Sequence, residues 1–357
     1  MNIRNFIINV LPHGLFIKMA SKRQAEKNKM IMNSEGIVPE AKSSFQYILS
    51  LQGFGYSGHT ALIDLLREFS PILVPTDITH KDTDEVYVKD GGFEYEIMRA
   101  AGGIVEMEKY ITDSVNIIQN TAALQRMIKL LLGNPFLKKN DRCRNLTLAF
   151  IRSLVVVSLT DIERPFFNMH LFEYNYGIFY LKKMALKEYR RHAGNFLINI
   201  CNEYYREGKR IILLDHLFSS LGLSEDAKRD YLPNIKTIVL YRDPRDVYSQ
   251  IMMIQAEVVP RTPKEFVEWY RLQMQIFDTQ KKECLLIGFE DLIVDYDNVV
   301  NNVMDYLNLD PSEHRYKFNC LDPKVSIKNV GLWRKFPERI EVYNYIYNEL
   351  KPYCCEN

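Results

Sequence analysis

This sequence has almost no net charge: 46 Lys and Arg stand against 45 Asp and Glu over 357 residues, a formal net charge of +1. So weak a field recruits no nucleic acid without further help, and nonspecific nucleic-acid binding drops out as a first reading. The six cysteines (Cys143, Cys201, Cys284, Cys320, Cys354 and Cys355) form no C-x-x-C pair, so neither a zinc ribbon nor a disulfide framework is signalled. Buried thiols in a reducing, cytoplasmic compartment are expected, and the adjacent Cys354 and Cys355 read as part of a frayed tail. No run reaches the roughly 18 apolar residues of a membrane span. The nearest, Leu146 to Leu159, is broken by Arg152 and reads as buried core. Residues 1–23 mix Phe6, Ile7, Ile8 and Val10 with Arg4, Lys18, Lys22 and Arg23, and Pro12 interrupts them. A signal peptide is not expected there, and an interfacial helix touching a membrane surface is the alternative. Internal repeats and low-complexity segments are also missing.

What is present is a succession of short apolar runs: Tyr47 to Leu51, Ile72 to Val74, Ile211 to Leu214, Thr237 to Tyr241 and Leu285 to Gly288. Runs of this length without clean alternation suit parallel strands covered on both faces. Helical stripes lie between them, such as Ala61, Leu62, Leu65, Leu66 and Phe69, or Phe266, Trp269, Tyr270, Met274 and Phe277. The alternation predicts an α/β fold: a P-loop-type, doubly wound parallel sheet with helices on both faces. Residues 1–44 read as an N-terminal segment and polar tether, and 45–357 as one domain. Within it, the Tyr-, Phe- and Met-rich stretch of about 95–207 reads as a large helical insertion on the acceptor side.

The first strand runs into Gln52-Gly53-Phe54-Gly55-Tyr56-Ser57-Gly58-His59-Thr60-Ala61, and a helical stripe begins at once. Glycines there let backbone N–H groups turn toward an anion, and the following helix adds its positive end. The spacing from Gly53 to Gly58 and Thr60 matches a Walker loop except that His59 takes the place of the lysine, which weakens an ATP-dependent reading. Downstream, the strand ending at Tyr241 leads into Arg242-Asp243-Pro244-Arg245-Asp246-Val247-Tyr248-Ser249. An arginine at a strand end, with a serine on the next helix, offers a guanidinium fork and a hydroxyl to a second phosphate.

Together these segments resemble the sulfotransferases that use 3'-phosphoadenosine 5'-phosphosulfate (PAPS). Tyr56-Ser57-Gly58-His59-Thr60 is similar to their 5'-phosphosulfate loop, and Arg242 with Ser249 to their 3'-phosphate pair. Gly288-Phe289-Glu290-Asp291-Leu292 resembles their "YEDL" segment, and Ser326 to Trp333 the late loop that closes over the 3'-phosphate, with Ser326 and Lys328 as its contacts. The resemblance runs over roughly residues 45–350. It departs at Tyr56, where the family carries a basic residue, at Ser249, which many members place one position later, and at Ser326-Ile327-Lys328, where the family has Arg-Lys-Gly.

The resemblance implies PAPS as co-substrate and a catalytic histidine in a "THLP"-like segment, which falls at His216 in Leu214-Asp215-His216-Leu217. Sulfuryl transfer needs a cation near the bridging oxygen and a base, and that scheme requires no metal. Histidine can accept the acceptor's proton near neutral pH. His59, if protonated, would supply the missing loop cation. Glu94, after Phe93, is the alternative base, and the two would line the acceptor site. The expected acceptor is a glycan hydroxyl, because the N-terminal segment and chain length resemble bacterial enzymes that modify surface polysaccharides, or else a small hydrophobic alcohol such as a sterol. The alternatives are a P-loop kinase, with Asp215 helping to place Mg2+, and a noncatalytic nucleotide-binding scaffold.

Overall fold

A computed structural model describes residues 26, 30–31, 33–75, 93–111, 122–134, 137, 141–158, 179–218, 223–256, 259–280 and 283–355. The chain divides into two compact units, Met1–Ser43 with Arg99–Glu203, and Ser44–Met98 with Tyr204–Asn357. In chain order its strands are β1 (Tyr47–Gly53), β2 (Ile72–Leu73), β3 (Val155–Ser158), β4 (Phe179–Leu181), β5 (Ile211–Asp215), β6 (Ile235–Tyr241) and β7 (Leu285–Gly288).

The second unit holds the sheet the sequence predicts. Its five strands run in the order β2-β5-β1-β6-β7, every pair parallel. Alternate residues of β6 enter different cores: Ile238 and Leu240 pack with Leu62, Leu65, Leu66 and Val303, while Val239 packs with Phe54, Val247, Phe266 and Tyr270. That two-sided burial is why Ile238 to Tyr241 of the strand reads as an uninterrupted apolar run. The first core lies under helices His59–Arg67 and Tyr296–Leu307, the second under helices Pro244–Ile254, Pro263–Gln280 and Ile340–Leu350. Each fully buried Leu or Phe contributes about 1.5–3 kcal/mol. Because β1 lies between β5 and β6, strand order reverses at its carboxyl end, the place where open α/β sheets bind ligands.

A buried carboxylate fastens the later part of this unit to the first helix. Glu68 is fully buried, accepts hydrogen bonds from the Tyr296 hydroxyl and the Cys320 and Leu321 amides (3.0 Å each), and lies 2.9 Å from His314 Nε2. Four partners on segments some 230 to 250 residues away offset the desolvation of this polar group.

The other unit contains helices Ala122–Gly133, Asp141–Leu154 and Leu186–Asn202, and β3 and β4, which pair antiparallel. Phe150 stacks on Phe196 with ring centroids 4.7 Å apart. The apolar run from Leu146, expected as buried core, is buried at Leu146, Leu148, Phe150, Ile151, Leu154 and Val155, and within it helix Asp141–Leu154 gives way directly to β3. Residues 33–43, expected as part of a tether, are held along helix Leu186–Asn202 by asparagine side chains. Asn195 accepts from the Ala41 amide (3.2 Å), and Asn199 and Asn202 donate to the carbonyls of Pro39 and Lys42 (3.0 Å each). Side-chain amides thereby satisfy a backbone that has no ladder of its own. Among the described residues, no helix is long and apolar enough to cross a membrane. The segment 1–23 lies outside the described residues.

Candidate functional site

The carboxyl ends of β1, β5 and β6 supply the site. After β1 the chain turns through Tyr56 (φ 72°) and Gly58 (φ 96°), with the Ser57 amide donating to Phe54 O at 3.1 Å, and enters helix His59–Arg67. A positive φ is unusual for a bulky residue, so Tyr56 marks a turn imposed by the loop. Gly58 is required twice, by its φ and because a Cβ there would meet the Phe289 ring at 2.3 Å. A Cβ on Gly53 would meet His59 Nε2 at 2.1 Å, so the glycine makes room for the imidazole. No side chain caps the helix, and its first turn holds no acidic residue, which keeps this end favourable to an anion.

β5 ends beside this loop. Leu51 and Asp215 are in register, and the His216 amide donates to Leu51 O at 2.7 Å. His216 has φ 54°, a left-handed conformation in which histidine is enriched, and this turns its ring back over the loop. The His59 and His216 rings stack with centroids 4.3 Å apart and planes 21° from parallel. His59 Nδ1 is 3.2 Å from Asp215 Oδ1 but out of hydrogen-bond alignment, and His216 Nε2 is 3.9 Å from Asp215 Oδ2. Burial, and then the neighbouring His59, hold the His216 imidazole below its ordinary pKa against the opposing pull of Asp215. Asp215 is held low despite its burial, first by His59 and then by His216.

On the other side of β1, β6 delivers Arg242, which is buried. Its Nη1 donates to Tyr56 O (3.2 Å) and Gln250 Oε1 (2.5 Å), its Nη2 to Asn329 O (2.7 Å), and its guanidinium lies over the Phe289 ring at 4.8 Å. The two segments expected as separate phosphate anchors are therefore in direct contact, and the late loop reaches them through Asn329. Ser249 is placed differently from expectation. Its hydroxyl donates to Arg245 O (2.8 Å), which leaves its lone pairs for the Tyr343 hydroxyl at 2.9 Å, and Gln250 is the residue on Arg242. Lys328 is exposed, and Ser326 is half-buried. Thr60 is exposed and Ala61 half-buried on the first turn of the loop helix. Phe93 and Glu94 open helix Phe93–Glu108, and their side chains lie outside the described residues.

Sequence reading missed two contributors. Asp246 accepts from the backbone amides of Gly331 (2.8 Å) and Trp333 (3.0 Å), and so fixes the late loop against the helix that follows Arg242. The tail is likewise attached: Arg245 donates to Cys355 O (2.7 Å), and the Cys355 amide to Asp243 Oδ2 (2.8 Å). These are single polar contacts between segments about 85 and 110 residues apart, which leave no periodic trace in a sequence.

Several polar atoms here make no hydrogen bond within the protein though buried: Ser57 Oγ, both His59 nitrogens, Asp215 Oδ1, Arg242 Nε and Glu290 Oε2. Such atoms cost about 1–3 kcal/mol each unless a ligand or water meets them. Glu290 accepts from the Asp243 amide at 3.0 Å, and its pKa is pushed up to about 7, by burial first and then by the charges of Asp243 and Asp246. Asp246 is pushed up to about 6, chiefly by burial. The folded state thus holds extra protons on these groups, and their favourable contribution is full below the unfolded carboxylate range and lost as pH rises through about 6 to 7. The melting temperature of the wild type is expected to fall between pH 5 and 8, as scanned roughly across that window. Glu290→Gln should flatten the fall, by an amount on the order of 3 kcal/mol. An unchanged slope in that variant would assign the effect elsewhere.

No family model matches this chain, and no curated protein matches it. Among solved structures it is similar to the sulfotransferase STF9 from Mycobacterium avium, with a TM-score of 0.36 and 10% identity over 84% of this chain and 74% of that one. It is also similar to the sulfotransferase STF1 from Mycobacterium tuberculosis H37Rv, with a TM-score of 0.35 and 11% identity over 80% of this chain and 77% of that one.

Proposed function

We propose that the chain is a sulfotransferase that moves a sulfuryl group from PAPS to a hydroxyl of a glycan or of a small hydrophobic alcohol. The observation that carries this reading is the set of buried donors without protein partners, Ser57 Oγ and Arg242 Nε, at the carboxyl ends of β1 and β6. An anionic ligand with two phosphate ends suits them. The loop amides and Ser57 would hold the 5' end. Arg242, exchanging the neutral Gln250 and Asn329 oxygens for a charged phosphate, would hold the 3' end through charge-assisted bonds.

His216 stands at the loop as general base. In the transfer step it takes the acceptor's proton while the acceptor oxygen bonds to sulfur and the sulfur–oxygen bond to the nucleotide phosphate breaks. The leaving group is adenosine 3',5'-bisphosphate, its developing charge met by the loop amides and by His59 as the nearby imidazole donor. Asp215 lies close to both rings and balances the charge formed on them.

Calorimetry with adenosine 3',5'-bisphosphate and with ATP, followed by transfer from labelled PAPS to separate glycan and lipid extracts, tests the reading. Saturable binding of the bisphosphate, weak binding of ATP and labelled product in one extract are expected. Preference for ATP with Mg2+, or the absence of labelled product from both extracts, would overturn it.

A further inference from the structure

The pairing of two imidazoles with one carboxylate goes beyond what sulfuryl transfer asks of this corner. One ligand atom each from His59, Asp215 and His216 lies within 4.8 Å of the others. Two nitrogens and an oxygen at that spacing can close on a single ion at bonding distances of about 2.0–2.2 Å once the stacked rings turn about χ2 so that their in-plane lone pairs converge. Asp215 Oδ1 and both His59 nitrogens are buried without a hydrogen-bond partner, and the 3.2 Å approach of Nδ1 to Oδ1 is misaligned for a proton between them. A cation placed among them would use the lone pairs that the protein leaves unmet.

The three groups also sit on rigid supports. Asp215 ends β5, in register with Leu51 of β1. The His216 amide is bonded to Leu51 O, and the His59 ring is wedged over Gly53. Ligands held this way lose little freedom on binding. Two imidazoles and one carboxylate favour the borderline ions of the zinc class over Mg2+ or Ca2+, which take oxygen ligands.

We propose that His59, Asp215 and His216 form a binding site for one zinc-class divalent ion, and that its occupancy turns the enzyme off. The inhibitory half rests on the reading of His216 as general base, since a lone pair given to a metal is no longer open to the acceptor's proton. The binding half does not depend on that reading.

The test uses the full-length protein, stripped with a chelator and titrated with Zn2+ alone by calorimetry and with Co2+ alone by its visible ligand-field absorption. One equivalent of Zn2+ is expected to bind with a dissociation constant on the order of 1 μM or tighter, and Mg2+ to give no saturable heat. His59→Gln and Asp215→Asn, which keep size and polarity, should each weaken Zn2+ binding at least about 10-fold. In the labelled transfer assay, Zn2+ should abolish turnover and chelator should restore it. Absence of saturable Zn2+ binding, or binding unchanged in both variants, overturns the site. Stoichiometric binding with undiminished transfer overturns the inhibition. A metal-free protein that binds Zn2+ at these residues yet transfers no sulfate sinks the sulfotransferase reading and leaves the metal site standing.

Discussion

Replacing His216 with alanine is expected to lower kcat by roughly 10²–10⁴-fold, the usual worth of a positioned general base, with adenosine 3',5'-bisphosphate binding held within about threefold. The split between the two readouts follows from the geometry. His216 is fixed through its backbone amide to Leu51 O, and that bond survives loss of the ring. The groups assigned to the nucleotide lie on the loop after β1 and at Arg242, on strands that do not carry the histidine. His59→Ala is the companion variant. Removal of an imidazole that meets leaving-group charge should lower kcat without abolishing it, whereas unchanged turnover would take His59 out of the reaction. Stopped-flow single-turnover measurements keep chemistry apart from product release. If His216→Ala retains more than about a tenth of wild-type turnover, the base lies elsewhere and Glu94 becomes the residue to test.

The second large effect is expected at Arg242. On the proposed reading, Arg242→Ala should weaken adenosine 3',5'-bisphosphate at least about 100-fold, close to 2.7 kcal/mol, since the buried guanidinium would form the charge-assisted part of the nucleotide grip. Arg242→Lys should recover little of it, because a point charge cannot serve Tyr56 O and Asn329 O together in the planar arrangement of the fork. Arg242 also links the loop after β1 to the late loop, so its removal has a structural component as well. Gln250→Ala separates the two contributions. It removes the neutral acceptor that competes for Nη1 and leaves the loop contacts intact, and should hold or improve nucleotide affinity. Circular dichroism and calorimetry on the three variants check this. Wild-type affinity in a folded Arg242→Ala protein would remove the arginine from the nucleotide site.

How much of this could be read in the sequence depends on how each feature is encoded. All five strands of the sheet were legible because both faces are covered. Each therefore stands as an apolar run between polar turns, and the runs at 47–51, 72–74, 211–214, 237–241 and 285–288 match β1, β2, β5, β6 and β7 closely. The glycine turn was legible for a similar local reason, since Gly53 and Gly58 answer to steric demands a few residues away. The antiparallel pairing of β3 with β4 was not, because a helix that passes into a strand inside one apolar stretch changes period without changing composition. The surroundings of Arg242 were legible only in part. The arginine at the strand end stood out, yet its partners Gln250, Tyr56 O and Asn329 O, and the hold of Asp246 on the late loop, are tertiary contacts with no local signature. Ser249 shows the converse case: a hydroxyl at a promising position is committed to its own helix and to Tyr343.

The order of the sheet also bears on how the protein is made. β1 is the first strand of its sheet to be synthesised, but its neighbours β5 and β6 follow about 165 and 185 residues later, so at ordinary translation speeds it waits roughly 10 to 40 s for either partner. Throughout that interval a strongly apolar segment with two open edges is offered to chaperones and to other nascent chains. Yield of soluble protein should accordingly respond to growth temperature and chaperone supply more than to the stability of the finished fold.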